Sequence, residues 1–486
     1  MSPVSVELRP FIPALIVALT GMAVLLATAF GGREKTAGAA ASLSVAGLLA
    51  ALVSVALLAG GRGAGVAVGG VYAADAFSLF FHALLLGIAL VVVLLSPGYL
   101  RAVRLPAGEY YALLLFCVVG MLGLVSCREL VSLFVALEIM SVALYALAGL
   151  DRERPESQES AMKYFITGAF SSSFLLYGIA LLYGVSGSTL MDNIARAVSA
   201  RTEGEAALLP LLGVGLLLVG FGFKVASVPF HMWAPDVYEG APTTISALMA
   251  AGVKAAAFGG LVRVLLQAVP ALAAEWRPAV AVLALLTMVV GNLGALAQSN
   301  VKRMLAFSSV AHAGYLMTAL VAAPGPGSEA ILFYLVGYAA VNLGGFGAIA
   351  ALARDGREPL SLTDLAGLSQ RRPLLAATVT IYLISLAGVP VSAGFVGKFY
   401  LFSAAVNAGW VWLAVVGVLA SVVSAYYYLR VVVAMYMREP VGEDTWGPVG
   451  ALAAAGLAVS VAVVITLGVY PAPVLDWARA ALHSLL

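Results

Sequence analysis

Residues 206–231 read AALLPLLGVGLLLVGFGFKVASVPFH, a run in which Lys224 is the only Lys, Arg, Asp or Glu. Its length suits one crossing of a bilayer, which takes about 20 mostly apolar residues. Pro229, five residues after the lysine, lacks a backbone donor and crowds the preceding turn, so a helix is predicted to open there. Carbonyls freed at membrane depth are tolerated only when buried in protein or facing a cavity. The stretch therefore reads as a broken membrane helix carrying a lysine at the break.

The rest of the chain extends this reading. Of 486 residues, 62% are hydrophobic and 10% charged, against about 25% charged in soluble domains. An ordinary globular enzyme is excluded, and a net charge of +2 is too small for a nucleic-acid footprint. Fourteen apolar runs are predicted, near 9–30, 37–59, 72–96, 109–126, 129–150, 159–185, 206–231, 242–268, 278–299, 302–322, 329–352, 373–402, 409–437 and 447–470. They are continuous rather than alternating, which favours helices over barrel strands. The expected class is an all-α integral membrane protein without a cleavable signal peptide or a soluble domain. Cys117 and Cys127 have no CxxC spacing and read as small buried hydrophobes, not cluster or zinc ligands. Thirteen lysines and arginines fall in connections after odd-numbered spans, and seven in the termini and even connections. That bias places odd connections in the cytoplasm and both termini outside.

A weak repeat emerges at an offset of five spans. Arg128 opens span 5 with Glu138 ten residues on, and Lys302 opens span 10 with His312 ten residues on. Span 7 holds Val228-Pro229, and span 12 holds Gly388-Val389-Pro390. An odd offset makes the second unit upside down, the construction of many ion transporters.

Several ionisable groups sit where lipid would forbid them. Glu138, inside LFVALEIM (133–140), costs about 2.5–3.5 kcal/mol to insert at a helix centre. Intramembrane charges of this kind mark proton or ion pathways, the alternative being a structural ion pair. Lys254 lies twelve residues past Pro242, about 18 Å along a helix and so near mid-membrane. Lys398 follows the second break by eight residues, and snorkelling is its competing reading. Burial disfavours an ammonium ion and a nearby carboxylate favours it, so moving Glu138 towards or away from a buried lysine switches its charge. Glu159 and Lys163, spaced i,i+4, suit either a surface pair or the pathway. His312 suits a relay or a hydrogen-bonded core position. His231 and Asp236, flanking Trp233, read as interfacial, His82 as structural, and Asp75, Arg263 and Arg430 as near interfaces.

FKVASVPFHMWAPDVYEGAPT (223–243), with ESAMKYF (159–165), VKRMLAFSS (301–309), AHAGY (311–315) and LAGVP (386–390), resembles the subunit N branch of the antiporter-like membrane subunits of proton-pumping NADH:quinone oxidoreductase (respiratory complex I). The resemblance covers residues 110–440 at least. It implies three N-terminal helices (1–108), inverted five-helix repeats at spans 4–8 (109–268) and 9–13 (278–438), and a C-terminal helix and tail (447–486). It further implies that Glu138 and Lys224 form a coupled acid–lysine pair, Lys254 a central relay, Lys398 the exit-side lysine, and His312 a group between the last two. Pro229, Gly388 and Pro390 would mark the helix breaks. The chain would translocate protons without a cofactor or metal of its own. FMN, iron–sulfur clusters and a quinone would sit on other subunits, and the partners would be neighbouring membrane subunits in a bacterial inner membrane. The rival is a subunit of a multisubunit cation/proton antiporter. A scaffold whose buried charges pin helices together is the third reading.

Overall fold

The computed structural model describes residues 8–31, 33–61, 66–67, 70–200, 207–441 and 446–485. Three helices come first: α1 (Ile12–Gly31), α2 (Arg33–Gly60) and α3 (Ala76–Ala102). A first group follows with α4 (Ala107–Ser126), α5 (Leu130–Ala148), α6 (Pro155–Ser186), the short α7 (Met191–Ser199), α8 (Leu208–Val225), α9 (Trp233–Gly240), α10 (Thr243–Leu248) and α11 (Lys254–Gln267). A second group holds α12 (Ala273–Leu296), α13 (Val301–Leu320), α14 (Pro326–Ala351), α15 (Leu368–Arg371), α16 (Pro373–Ala387), α17 (Ala393–Asn407) and α18 (Val411–Met437). Helices α19 (Ala451–Val469) and α20 (Ala472–His483) end the chain.

Among the described residues, twelve helices are long and apolar enough to cross a membrane. Each of the fourteen runs expected from the sequence contains helix among the described residues, but two fall outside that test. One is α13, whose twenty residues include Lys302, Arg303, Ser308, Ser309 and His312. The other is split into α16 and α17, fifteen residues each. Helices α7, α9, α15 and α20 were not expected. The helix from Thr243 to Gln267 is buried along its whole hydrophobic window and α14 nearly so, whereas α1, α2 and α19 face mostly outward. What they expose is itself apolar, including Leu19, Leu26, Phe30 and Leu57. A helix apolar on every side belongs in a core or in lipid, and this fold uses both.

Two matching hairpins open the two groups. Glu129 caps α5 by accepting from Val131 and Ser132 backbone N–H groups, and Asn300 caps α13 by accepting from Arg303. Leu130 N–H donates to Thr189 O at 2.9 Å, and Val301 N–H to Leu360 O at 2.7 Å. A Cβ on Gly120 would lie 2.4 Å from Met140 N, and one on Gly291 2.5 Å from Ala311 N, so each hairpin closes on a bare glycine. Residues 120, 129, 130 and 140 thus recur as 291, 300, 301 and 311. This register pairs Glu138 with Ser309 and Ser141 with His312. It corrects the sequence pairing of Glu138 with His312 by about one helical turn, because matching Arg128 to Lys302 slid the two helices by three residues.

The breaks fall where the prolines point. Helix α8 ends at Val225, with Ala226 left-handed at φ +60° and Ser227 N–H returning to Gly222 O at 2.8 Å. Helix α16 ends at Ala387, with Gly388 at φ +87° donating back to Ile384 O at 3.1 Å. These are left-handed C-caps. A bulge of another kind precedes Lys254: Met249–Val253 forms a π turn between α10 and α11, a distortion that recurs at functional sites.

Two side chains near helix ends are buried in the protein. Arg263 is wholly buried, bidentate on Asp75 at 2.8 and 2.9 Å and donating to Val125 O. The pair ties α11 to the start of α3, so the arginine is interior because its charge is matched there. Trp233 is also buried, its indole N–H donating to Phe223 O at 3.1 Å across the first break. Cys117 and Cys127 are both free and buried.

Candidate functional site

The four sequence-predicted charges and His312 sit in the membrane-spanning body, in two clusters. In the first, Lys224 is 3% exposed, on the last turn of α8. Its ammonium donates to Ser141 Oγ at 2.7 Å and lies 5.3–5.6 Å from the ring centres of Phe223, Tyr164 and Tyr145. An aromatic cage stabilises a cation through the ring quadrupoles, by more when water is excluded. Glu138, half-buried on the same helix as Ser141, accepts from Ser172 Oγ at 2.5 Å. Acid and lysine are therefore near each other but not in contact: Ser141 stands where a direct ion pair would put the carboxylate.

The second cluster is longer. Lys254, 1% exposed, donates to Ser309 Oγ at 2.6 Å and to the Ser309 carbonyl. Ser309 Oγ also accepts from Tyr338 at 2.9 Å, and the Lys254 ammonium sits 5.6 Å from the Tyr338 ring centre. His312 packs against that same ring, bonds Tyr334 OH through Nδ1, and meets Tyr428 OH at 3.1 Å through Nε2. It lies edge-on to Tyr315, over whose face the Lys398 ammonium sits at 4.9 Å. Lys398 donates to Leu386 O at 2.8 Å and Ala387 O at 3.4 Å. Those are the last carbonyls of α16, a helix C-terminus that favours a cation. Gly388 leaves room for this, since a Cβ there would press on Lys398 Cδ at 3.2 Å. Lys398 therefore turns inward to the break and does not snorkel.

The clusters are joined by aromatic rings. Tyr164, beside Lys224, stacks on Trp233 at 4.5 Å, and Trp233 meets Tyr238 at 6.0 Å. Tyr238 presents its hydroxyl to Ser309. Sequence reading missed these tyrosines. Tyr334 and Tyr338, four apart on α14, and Tyr427 and Tyr428 on α18 were the available signal, since a buried phenol usually finds a hydrogen-bond partner.

Glu159 and Lys163 pair at 2.6 Å on the surface of α6, and Lys163 also meets Asp236 at 2.6 Å. Arg303 then bridges Asp236 and Glu239, both at 2.7 Å. Glu159 and Lys163 thus form the surface pair, within a partly exposed charge network linking α6, α9 and α13. It is separate from the buried clusters. His82 is buried and bonded to Ser126 Oγ at 2.8 Å. Arg430 caps the end of α12 through Leu296 O and Gln298 O.

Comparison with known proteins bears on the whole chain. Residues 127–424 match the family model described as NADH:quinone oxidoreductase/Mrp antiporter, TM. Among curated relatives, NADH-quinone oxidoreductase subunit N of Trichlorobacter lovleyi is 44% identical over 98% of this chain and 97% of that one. The subunit N of Chloroflexus aggregans is 44% identical over 96% of each. Among solved structures, a chain of respiratory complex I from Thermus thermophilus with bound aureothin is 38% identical, with TM-score 0.81 over 96% of this chain and 98% of that one. A chain of the Mrp complex from a Dietzia species has TM-score 0.84 at 23% identity, over 99% of this chain and 98% of that one, a likeness of fold alone.

Proposed function

The chain belongs to the family of membrane subunits shared by NADH:quinone oxidoreductase and Mrp antiporters, and from that premise we propose how its buried charges work. It is a proton-translocating membrane-arm subunit of NADH:quinone oxidoreductase, seated among other membrane subunits. Protons move along Glu138, Lys224, Lys254, His312 and Lys398, with Ser141, Ser309 and the intervening tyrosines as bridging groups and water completing the path. Glu159 and Lys163 act as secondary members. The repeats at 109–268 and 278–438 each supply one broken helix, at Pro229 and at Gly388-Pro390. The chain carries no redox centre. FMN, iron–sulfur clusters and a quinone on other subunits do the electron transfer, and quinone reduction drives the pump. The setting is the bacterial cytoplasmic membrane, with both termini outside.

The carrying observation is the second cluster, in which two buried lysines from different repeats flank one histidine through shared tyrosine rings. A buried ammonium with several alternative oxygen partners takes up and gives away a proton as those partners move. Each proton moved against 100 mV costs about 2.3 kcal/mol, which sets the scale of drive required. Sodium–proton exchange is the weaker alternative, since the relatives at 44% identity are subunit N chains and the Mrp likeness stands at 23%. The test is NADH-driven proton uptake by inverted vesicles carrying Glu138→Ala or Lys254→Ala. Assembled complex that does not pump supports the pathway. Normal pumping by assembled Glu138→Ala removes that residue from it, and failure to assemble favours the scaffold.

A further inference from the structure

Ala241, Pro242 and Thr243 form the corner between α9 and α10, and all three are buried. Backbone polar groups at such a place must find partners: Ala241 N–H and Pro242 O are met by the local backbone, and side chains from elsewhere meet three further groups. Lys302, at the start of α13, donates to Ala241 O at 2.6 Å. Thr243 N–H donates to Tyr99 OH of α3 at 2.9 Å. The Thr243 hydroxyl donates to a carboxylate oxygen of Glu358, in the connection after α14. The other oxygen of Glu358 lies 3.7 Å from the Lys302 ammonium and 3.5 Å from Arg154, in the connection before α6. The Glu358 and Lys302 side chains are 2% and 0% exposed. One carboxylate therefore gathers groups from the N-terminal helices, the first repeat and the second. Burial alone would raise the Glu358 carboxyl, but the Lys302 charge, hydrogen bonds from Thr243 and Tyr99, and the Arg154 charge hold it below the ordinary carboxylate range.

What hangs from this corner matters for the pathway. On one side α9 carries Trp233 and Tyr238, the rings between Lys224 and Ser309. On the other, α10 and the π turn lead to Lys254, eleven residues from Thr243 and about 16 Å along the helix. We infer that Glu358 is a positioning residue for proton translocation: by fixing the Ala241–Thr243 corner it sets the placement of Lys254 against Ser309 and of the aromatic bridge. Lys302 completes the device as a buried ammonium shared between the Glu358 carboxylate and the Ala241 carbonyl. The inference rests on the proposed pathway, deepening it by a residue that touches none of its proton carriers.

The experiment uses the assembled complex in inverted vesicles, with NADH-driven proton uptake normalised to assembled complex through NADH:ferricyanide activity. Glu358→Gln should lower normalised uptake by about threefold or more, within the range for mutations along coupling networks. Glu358→Asp, which keeps the charge, should recover most of it. Thr243→Val, which removes one donor to the carboxylate, should give a smaller loss of the same sign. If Glu358→Gln does not assemble, Thr243→Val decides alone: a loss with full assembly upholds the inference, and wild-type uptake overturns it. Wild-type uptake in Glu358→Gln overturns it, as does Glu358→Asp being as defective as Glu358→Gln. Lys254→Ala is run alongside. If it stops uptake while the Glu358 and Thr243 variants do not, the positioning role alone fails; if it pumps normally, the pathway itself is refuted.

Discussion

Replacing Ser309 by Ala removes one of the two oxygens that hold the Lys254 ammonium, the hydroxyl at 2.6 Å, while the Ser309 carbonyl stays in place. A hydrogen bond to a charged group is worth about 1.5–3 kcal/mol. At about 1.4 kcal/mol per factor of ten, occupancy of the state with the ammonium docked on residue 309 should fall roughly 10- to 150-fold. The same change strips Tyr338 of its acceptor at 2.9 Å, which adds to the loss. Because Lys254 is 1% exposed, bulk solvent is not at hand to take over either bond. If docking on Ser309 is a step of transport, proton uptake per assembled complex in inverted vesicles should drop at least about tenfold, while Ser309→Thr, which retains the hydroxyl, stays near wild type. Wild-type uptake by an assembled Ser309→Ala complex would refute the reasoning, since the docked ammonium would then be incidental.

Two further outcomes test the fold beneath the pathway. Gly120→Val should separate α4 from α5, because its Cβ would meet Met140 N at 2.4 Å and Ala136 O at 2.7 Å; a loss of about 1–3 kcal/mol is expected as a lower thermal midpoint or reduced assembly. Asp75→Asn strands the wholly buried Arg263, and breaking such a pair costs about 3–5 kcal/mol. The pH dependence of that effect has a definite sign. Burial by itself would raise the Asp75 carboxyl, but the charge and hydrogen bonds of Arg263 with those of Ser78 hold it below its usual 3.8. A depressed carboxylate gives its full stabilisation above the unfolded value and loses it as pH falls through the folded one. The stability gap between wild type and Asp75→Asn, followed by thermal unfolding, should therefore be constant from neutral pH down to about 5 and narrow only below about 4.

How much of this could be read from sequence depends on whether the signal was local. Pro229 and Gly388-Pro390 announced the breaks because proline and left-handed glycine act on their own turn of chain. Glu138, Lys224 and Lys254 stood out because lipid makes a charge conspicuous wherever it occurs in an apolar run. The π turn before Lys254 left no mark, since Met249–Val253 is as apolar as its neighbours and only a shift in backbone hydrogen bonding distinguishes it. Glu358 was hidden for the opposite reason. It follows Arg354, Asp355 and Arg357 and reads as one more solvated charge, and only packing against Thr243 and Tyr99 takes it inside. The pairing of Arg263 with Asp75 was hidden in the same way, because the two lie 188 residues apart in the chain. The repeat was visible but misaligned, since equivalent caps are occupied by Glu129 and Asn300, two residue types that do the same work.

Once the register is set by those caps and by the glycine contacts, the two repeats differ in an informative way. The first repeat has an acid at 138 and a serine at 141, and the serine takes the ammonium of Lys224 from α8. The second has a serine at 309 and a histidine at 312, and the histidine shares Tyr315 with Lys398 from α17. Ser309, in the place of the acid, receives the ammonium of Lys254, which belongs to the last helix of the first repeat. That lysine therefore ends in the polar site of the second repeat, where no carboxylate holds it. A neutral partner at 309 attracts the ammonium without trapping it, whereas a carboxylate there would form a buried ion pair of the kind that costs several kcal/mol to break. On the proposed pathway, this asymmetry between otherwise matching hairpins would let charge pass from one repeat to the next, with the Lys254–Ser309 contact as its junction.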